Sequence, residues 1–144
     1  MKPAYHISYR DEIAETQGRL FARLVRENPT ADGANFISAY LSSELRGRID
    51  YADAIPANMT ASELKEYFVE KEHYNFKEGE PIDSIPADWI GQFYAVYQWE
   101  TGSLSKDIVK QIPVKTMVAA YAGLHDLDMN LAVERIANLT QNIK

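Results

Sequence analysis

Histidines close to carboxylates are the residues of this sequence best suited to catalysis or metal binding. Glu70 and His73 stand three residues apart, which matches one half of a di-metal site built on helices. Such a site needs a second Glu-x-x-His pair, and neither His6 nor His125 supplies one. We therefore predict no metal site. Asp126 and Asp128 both follow His125 and could form a metal-binding or general-base cluster with it. The structural interpretation is that a glycine-terminated helix is followed here by a helix that an aspartate caps, which already explains both carboxylates.

Other catalytic patterns are missing from the sequence. No serine lies in a Gly-x-Ser-x-Gly elbow, and the seven glycines form neither a dinucleotide-binding loop nor a phosphate-binding loop. There is no cysteine to act as a nucleophile or a zinc ligand. We predict a non-enzymatic protein with no catalytic residue and no cofactor. A small hydrolase stays open as an alternative, and a concave pocket in which His73 or His125 meets a carboxylate would favour it.

One local feature is basic. Three arginines recur on one side of the predicted first helix at i, i+4 and i+7, and two more follow soon after it. They could contact phosphate or an acidic partner, but we interpret them as an exposed face, partly neutralised by Glu15 and Glu27 at helical spacing. The arginines are Arg19, Arg23, Arg26, Arg46 and Arg48.

Residues 105–121 have the outline of a helix-turn-helix. The segment predicts a short helix, a break at Pro113 and then a second helix. Lys115 and Thr116 of the second helix could face a DNA groove. The turn has no glycine, and residues 103–144 hold five Lys/Arg against four Asp/Glu, a net of +1. Reading helices normally come with several cations that hold the phosphate backbone. DNA binding is therefore an alternative, and a nucleic-acid partner is not favoured.

The negative charge is concentrated in the middle of the chain. The whole sequence has a net charge of -6, and residues 51–102 hold ten Asp/Glu against three Lys/Arg, a net of -7. A capping box at Thr60 opens a helix there. Its glutamates form a face that suits a basic protein partner, and the other interpretation is a solvated face that keeps the chain soluble. These glutamates are Glu63, Glu66, Glu70 and Glu72.

Aromatic residues are abundant, with nine tyrosines and two tryptophans. Most are expected in the core, but Tyr51, Tyr74 and Trp99 lie near predicted helix ends or loops. Tyrosine and tryptophan are favoured at interfaces because they bring a large contact area at low entropic cost. We predict these three as interface residues.

The elements that must position these residues are helices. Helical spacing of apolar residues recurs along the chain, and Pro29, Pro56, Gly102 and Gly123 separate the segments. Residues 87–101 are apolar on nearly every side, so this helix must be surrounded by others. The sequence predicts an all-α fold, a single compact domain over residues 1–144 with six to eight helices around that central one.

Composition agrees with a packed domain of ordinary size. The chain has 144 residues, of which 46% are hydrophobic and 11% aromatic. Its apolar runs are far shorter than the roughly 20 residues needed to cross a bilayer, and the N-terminus lacks the apolar core of a signal peptide. We predict no membrane association and a cytoplasmic location.

The stretches Ala87–Glu100 and Tyr121–Asp128 resemble small helical proteins of anaerobic gut bacteria. The resemblance covers roughly the last 60 residues, carries no site, and implies a role in a mobile element or a toxin–antitoxin-like pair. Our leading hypothesis is a protein that acts by binding another protein, with a basic partner favoured by the acidic middle. Its partner and oligomeric state stay open.

Overall fold

The computed structural model describes residues 5–142, with side chains as far as Thr140. Within that range the chain forms nine α-helices and no strand, apart from one isolated bridge between Ala31 and Glu78. The helices are α1 (Ile7–Glu27), α2 (Gly33–Leu41), α3 (Glu44–Asp50), α4 (Ala54–Ala57), α5 (Ala61–Glu66), α6 (Ser84–Thr101), α7 (Ser105–Gln111), α8 (Val114–Leu124) and α9 (Met129–Asn142). The prediction of an all-α fold is confirmed.

Most helices begin at a residue whose side chain binds free backbone amides. The Asp32 carboxylate accepts from the Asn35 amide at 3.0 Å at the start of α2. The capping box that opens α5 is complete, because Thr60 Oγ1 accepts from the Glu63 amide and Glu63 Oε1 accepts from the Thr60 amide. These bonds satisfy amides that have no partner inside the helix.

The helix count exceeds the predicted six to eight because one predicted helix is divided. The apolar spacing after Asp32 predicts a second helix that continues to about Gly47, but α2 ends at Leu41. Ser43 then starts α3, with its hydroxyl accepting from the Arg46 amide at 3.1 Å and donating to the Tyr40 carbonyl at 2.6 Å. Helix α5 also continues as one π-helical segment, Tyr67–Lys71.

Helix α6 is central, as predicted, and packs against α1, α7, α8 and α9. It starts at Ser84, a few residues before the expected start, and ends at Gly102 in the left-handed conformation with φ of 70°. Ile90, Phe93, Tyr94 and Ala95 are completely or almost completely buried. The buried apolar residues of the described range form one cluster around this helix.

Helices α1 and α6 approach closely because small residues lie where they cross. A Cβ atom on Gly91 would stand 2.8 Å from the Gln17 carbonyl oxygen and 2.9 Å from the Gly18 Cα atom. The Gln17 side-chain amide uses this proximity and donates to the Gly91 carbonyl oxygen at 2.7 Å in the buried interface. The two helices therefore form the frame to which the other elements attach.

One residue of α6 is less buried than its position in the pattern suggested. Trp89, Phe93 and Val96 recur at i, i+4 and i+7, a spacing that predicts one shared buried face, but Trp89 is only partly buried. Its ring stacks on Phe93 at 5.6 Å and meets Tyr121 of α8 edge to face at 5.6 Å. Trp89 thus lies at the edge of the core, where it lines a surface pocket.

None of the helices in the described range combines the length and hydrophobicity that a bilayer crossing requires.

Candidate functional site

The acidic segment, which we define as residues 60–72, packs beside the start of α3. Glu72 of this segment accepts hydrogen bonds from the Glu44 amide at 3.2 Å and the Leu45 amide at 3.1 Å. Its carboxylate therefore caps α3, where a negative charge also meets the positive end of the helix dipole. Glu63 has a structural role too, since hydrogen bonds with Thr60 hold its pKa below the usual range.

Two of the four predicted glutamates remain available to a partner. Glu66 and Glu70 are exposed and form no ion pair within the part of the chain that the structure describes. Lys65, which directly precedes Glu66, is already paired with Glu27 of α1. The acidic segment thus presents two solvated carboxylates, while the other two stabilise helix starts.

Tyr51 is the most exposed of the three predicted aromatic residues, with 75% of its surface accessible. It ends α3 at a tight turn in which the Asp53 amide donates to the Arg48 carbonyl and the Ala52 amide donates to the Ile49 carbonyl. These two bonds define a Schellman motif. The turn therefore fixes Tyr51 at the surface.

A groove of about 530 Å³ runs beside Tyr51 between α3 and the start of α7. Gly47 lines it, and no atom lies within 4 Å of the position of a Cβ at this glycine. Glu44, whose amide binds Glu72, also lines it, so the groove adjoins the acidic segment. Further lining residues are Leu41, Arg48, Asp53, Leu104 and Lys106.

A second exposed apolar side chain follows the same turn. Ile55, in the first turn of α4, exposes 68% of its surface. The Asp53 carboxylate links this turn to α3, because it accepts hydrogen bonds from the Ile55 amide at 3.1 Å and from Arg48 Nε at 2.8 Å. Ile55 was not among the residues predicted from the sequence. Its signal was an isoleucine two residues after a capping aspartate and directly before a proline.

Ala52→Gly is expected to stabilise the protein by about 1 kcal/mol. Ala52 has a φ of 64°, a left-handed conformation that costs an L-residue roughly 1–2 kcal/mol and costs glycine little. Urea unfolding followed by circular dichroism would measure the change. Ala119→Gly is the matched control: this exposed alanine lies inside α8, where glycine should destabilise by about 1 kcal/mol. A loss of stability in both variants would contradict the assignment of strain to Ala52.

Tyr74 and Trp99 are only partly exposed, and each is held by a hydrogen bond. The Tyr74 hydroxyl donates to Asn35 Oδ1 at 2.6 Å, and burial raises the pKa of Tyr74 to about 12. Trp99 Nε1 donates to the Tyr5 carbonyl at 2.6 Å, and the Arg10 guanidinium lies 5.4 Å from its ring centre. Both residues have intramolecular roles, so Tyr51 is the predicted aromatic residue most accessible to a partner.

The histidines lie apart. His6 caps α1 by accepting from the Ser8 amide at 3.1 Å, and His73 adopts a left-handed conformation with φ of 57° just after the π-helical segment. His125 ends α8, where its Nδ1 lies 2.9 Å from the Tyr121 carbonyl oxygen and its Nε2 lies 3.2 Å from an Asp126 carboxylate oxygen. Among the described residues, no three His, Asp or Glu side chains converge in an arrangement that would hold a metal ion.

His125 also lines a pocket of about 320 Å³ between α1, α6 and α8, which we call the α6–α8 pocket. The pocket combines aromatic rings with hydroxyl, carboxylate and guanidinium groups. The polar and aromatic side chains that could contact a ligand in it are those of Arg26, Ser84, Asp88, Trp89, Tyr121 and His125. No pattern in the sequence indicated this pocket, because its residues come from three separate helices.

The segment 105–121 forms two helices with a break at Ile112–Pro113, as the helix-turn-helix outline required. Lys115 and Thr116 are exposed near the start of α8. Val118 and Ala119, farther along the same helix, are exposed as well, so the outer face of α8 is largely apolar or small. DNA binding by this segment stays a prediction.

The arginines do not form one exposed basic face. Arg23 pairs with Glu27 and donates to the Ser62 hydroxyl of α5, and Arg19 pairs with Glu15. The prediction was wrong for Arg46, which has an exposed fraction of 0%. Burial of its long side chain beneath α3 places its guanidinium 3.7 Å from the buried carboxylate of Asp50.

No protein-family model matches this chain, and neither a curated protein nor a solved structure shows significant similarity to it. Its function is therefore argued from the chemistry and geometry of its own residues.

Proposed function

We propose that this protein acts without catalysis by binding another protein. The observation that carries the proposal is the pair of exposed apolar side chains, Tyr51 and Ile55, held on a hydrogen-bonded turn beside the groove between α3 and α7. Tyrosine is enriched among the residues that dominate binding energy, and a fixed backbone lowers the entropy lost on association. The absence of cysteine agrees with a reducing compartment such as the cytoplasm.

This surface favours a partner protein with basic residues at the edge of the interface. Glu66 and Glu70 leave two solvated carboxylates on the acidic segment, which adjoins the groove through Glu44 and Glu72. An apolar contact at the turn with acidic groups nearby matches the usual anatomy of an interface, with an apolar centre and a polar rim. The partner would be captured from native cells with the whole chain as bait. Products of neighbouring genes would be tested first.

Removal of both exposed apolar side chains is expected to weaken binding strongly. Tyr51→Ala/Ile55→Ala should raise the Kd for the purified partner by about 30-fold, because truncation of one dominant interface residue costs about 2 kcal/mol or more. Isothermal titration calorimetry would measure the Kd. The matched control is Ile7→Ala/Tyr9→Ala, which removes another exposed isoleucine and tyrosine at the start of α1. Equal losses of affinity in the two double variants would overturn the assignment of the surface.

The acidic segment is expected to act on the association rate. Glu66→Gln/Glu70→Gln should slow association by about tenfold at low salt and remove much of its salt dependence, since charge complementarity acts largely on the encounter step. The melting temperature should change little, because exposed charges contribute weakly to stability. Surface plasmon resonance at low and physiological salt would measure the rates. Glu12→Gln/Glu134→Gln removes the same charge elsewhere on the surface and is the control. An unchanged association rate in the first variant would exclude the acidic segment from binding.

The second candidate function is a small hydrolase acting in the α6–α8 pocket. The supporting observation is that His125 lines this pocket together with the Asp88 carboxylate and the Ser84 hydroxyl. General-base catalysis would require His125 to take a proton from the attacking hydroxyl or water. Release of p-nitrophenol from p-nitrophenyl acetate by the wild-type protein, lost in both Ser84→Ala and His125→Ala, would favour this candidate over binding alone.

A further inference from the structure

The α6–α8 pocket has walls built from aromatic rings. The Tyr121 ring stacks on the His125 ring at 4.5 Å with an interplanar angle of 17°. Tyr121 also meets Trp89 edge to face, and the Trp89 ring stacks on that of Phe93. Because Phe93 is fully buried, these rings form a track that starts in the core and ends at the exposed His125. Such a track offers planar surfaces on which a flat ligand can stack.

A guanidinium group stands at the rim of the pocket. Arg26 is exposed in the last turn of α1, and it has no ion-pair partner within the described residues. Arg19 and Arg23, on the same side of that helix, are paired with Glu15 and Glu27. Arg26 is therefore the arginine of this helix face whose charge is available to a ligand. Guanidinium groups bind phosphate and carboxylate through paired hydrogen bonds.

The polar groups of the pocket complement those of a sugar or a base edge. Asp88 accepts a hydrogen bond from the Gln92 side chain at 2.6 Å, which orients its carboxylate as a fixed acceptor. The Ser84 hydroxyl lines the same pocket and can donate or accept. A ligand with hydroxyl or amino donors would find an acceptor at Asp88, while its anionic group would bind Arg26.

We propose that the α6–α8 pocket binds a nucleoside monophosphate, with the base on the aromatic track and the phosphate on Arg26. The volume of about 320 Å³ lies at the lower end of the range for small-molecule sites, roughly 300–1,000 Å³. Inorganic phosphate alone would leave the aromatic walls uncovered, and a nucleoside alone would leave Arg26 without a partner. The pocket is separate from the groove of the proposed protein-binding surface, because the two share no lining residue.

Tryptophan fluorescence provides a direct test. The chain has two tryptophans, so Trp99→Phe leaves Trp89 in the pocket as the reporter. Titration with AMP, GMP, CMP and UMP should change its emission saturably, with a Kd on the order of 0.1–1 mM for at least one of them. Inorganic phosphate or adenosine alone should bind at least tenfold more weakly. Because Trp99 holds Tyr5, saturation-transfer NMR of the nucleotides with the wild-type protein repeats the test without any substitution.

Two arginine variants separate specific binding from general attraction of anions. Arg26→Gln should weaken nucleotide binding at least tenfold, whereas Arg19→Gln, one exposed charge removed from the same helix, should leave the Kd within twofold. His125→Ala should weaken binding of all four nucleotides by removing a stacking surface. Absence of a saturable signal with every nucleotide in both measurements would overturn the proposal. Equal effects of Arg26→Gln and Arg19→Gln would do so as well.

Discussion

Phe93→Ala is expected to lower the free energy of unfolding by about 3–5 kcal/mol, the loss typical of truncating a core aromatic residue. Phe93 lies on the central helix α6 and is fully buried. Its ring meets those of Trp89, Tyr94 and Tyr97. Since domains of this size are stable by roughly 5–15 kcal/mol, the variant would lose a large share of its stability. Urea unfolding at 25 °C, followed by circular dichroism at 222 nm, would measure the loss.

Trp89→Ala is the informative comparison for Phe93→Ala. The sequence pattern placed both residues on one buried face, which predicts similar losses. The structure leaves Trp89 partly exposed at the α6–α8 pocket, so its truncation removes less buried area and opens no closed cavity. We expect a clearly smaller loss for Trp89→Ala than for Phe93→Ala. Equal losses, or a Phe93 variant that melts within about 2 °C of wild type, would contradict the description of this helix.

The sequence was sufficient to predict the elements whose signals are local. The capping box at Thr60, the end of α6 at Gly102 and the helical spacing along the central helix all depend on residues within one or two turns of each other. Local hydrogen bonds and apolar periodicity act in the same direction at these places. The break between α2 and α3 was missed because Ser43 can lie inside a helix or begin one, and the choice depends on packing.

The surroundings of the candidate site residues depend on contacts between residues far apart in the chain, so the sequence alone could not predict these contacts. Glu72 was grouped with the solvated glutamates, yet it caps a helix that begins 28 residues earlier. Tyr74 binds Asn35, and Trp99 binds the backbone of Tyr5. Single-sequence patterns contain no signal for such pairs. The exposure of Tyr51, by contrast, follows from a local helix end, although its role at an interface stays a prediction.

Arg46 illustrates a further limit of sequence patterns, because its charge suggested a surface position. The structure buries the whole side chain with that of Asp50, and the Asp50 carboxylate also accepts from the Ser105 amide at 2.7 Å and the Ser105 hydroxyl at 2.8 Å. Burial raises the pKa of Asp50, and the positive charge of Arg46 offsets part of that rise. The carboxylate therefore joins α3 to the start of α7, next to the groove beside Tyr51.

Asp50→Ala is expected to cost about 3–5 kcal/mol of stability. The substitution leaves the Arg46 charge buried without a counter-charge, which is the costly way to break a buried ion pair. It also removes the acceptor of two hydrogen bonds from Ser105. Asp11→Ala is the matched control, because the exposed Asp11 pairs with Arg10 at the surface and its removal should cost less than about 1 kcal/mol. Equal and small losses in the two variants would show that the buried pair contributes little.

The double substitution distinguishes loss of the ion pair from loss of the hydrogen bonds. Arg46→Met replaces the charge with an apolar chain of similar length, and Asp50 keeps both Ser105 donors, so this variant should cost less than Asp50→Ala. In the Arg46→Met background, Asp50→Ala no longer leaves a buried positive charge without a counter-charge. The loss of stability caused by Asp50→Ala should therefore be smaller than in the wild-type background by at least about 1 kcal/mol. Urea unfolding of the four proteins gives this coupling energy directly. If Asp50→Ala costs the same stability in both backgrounds, Asp50 stabilises the fold only through its hydrogen bonds with Ser105. The ion pair with Asp50 would then not explain why Arg46 is buried.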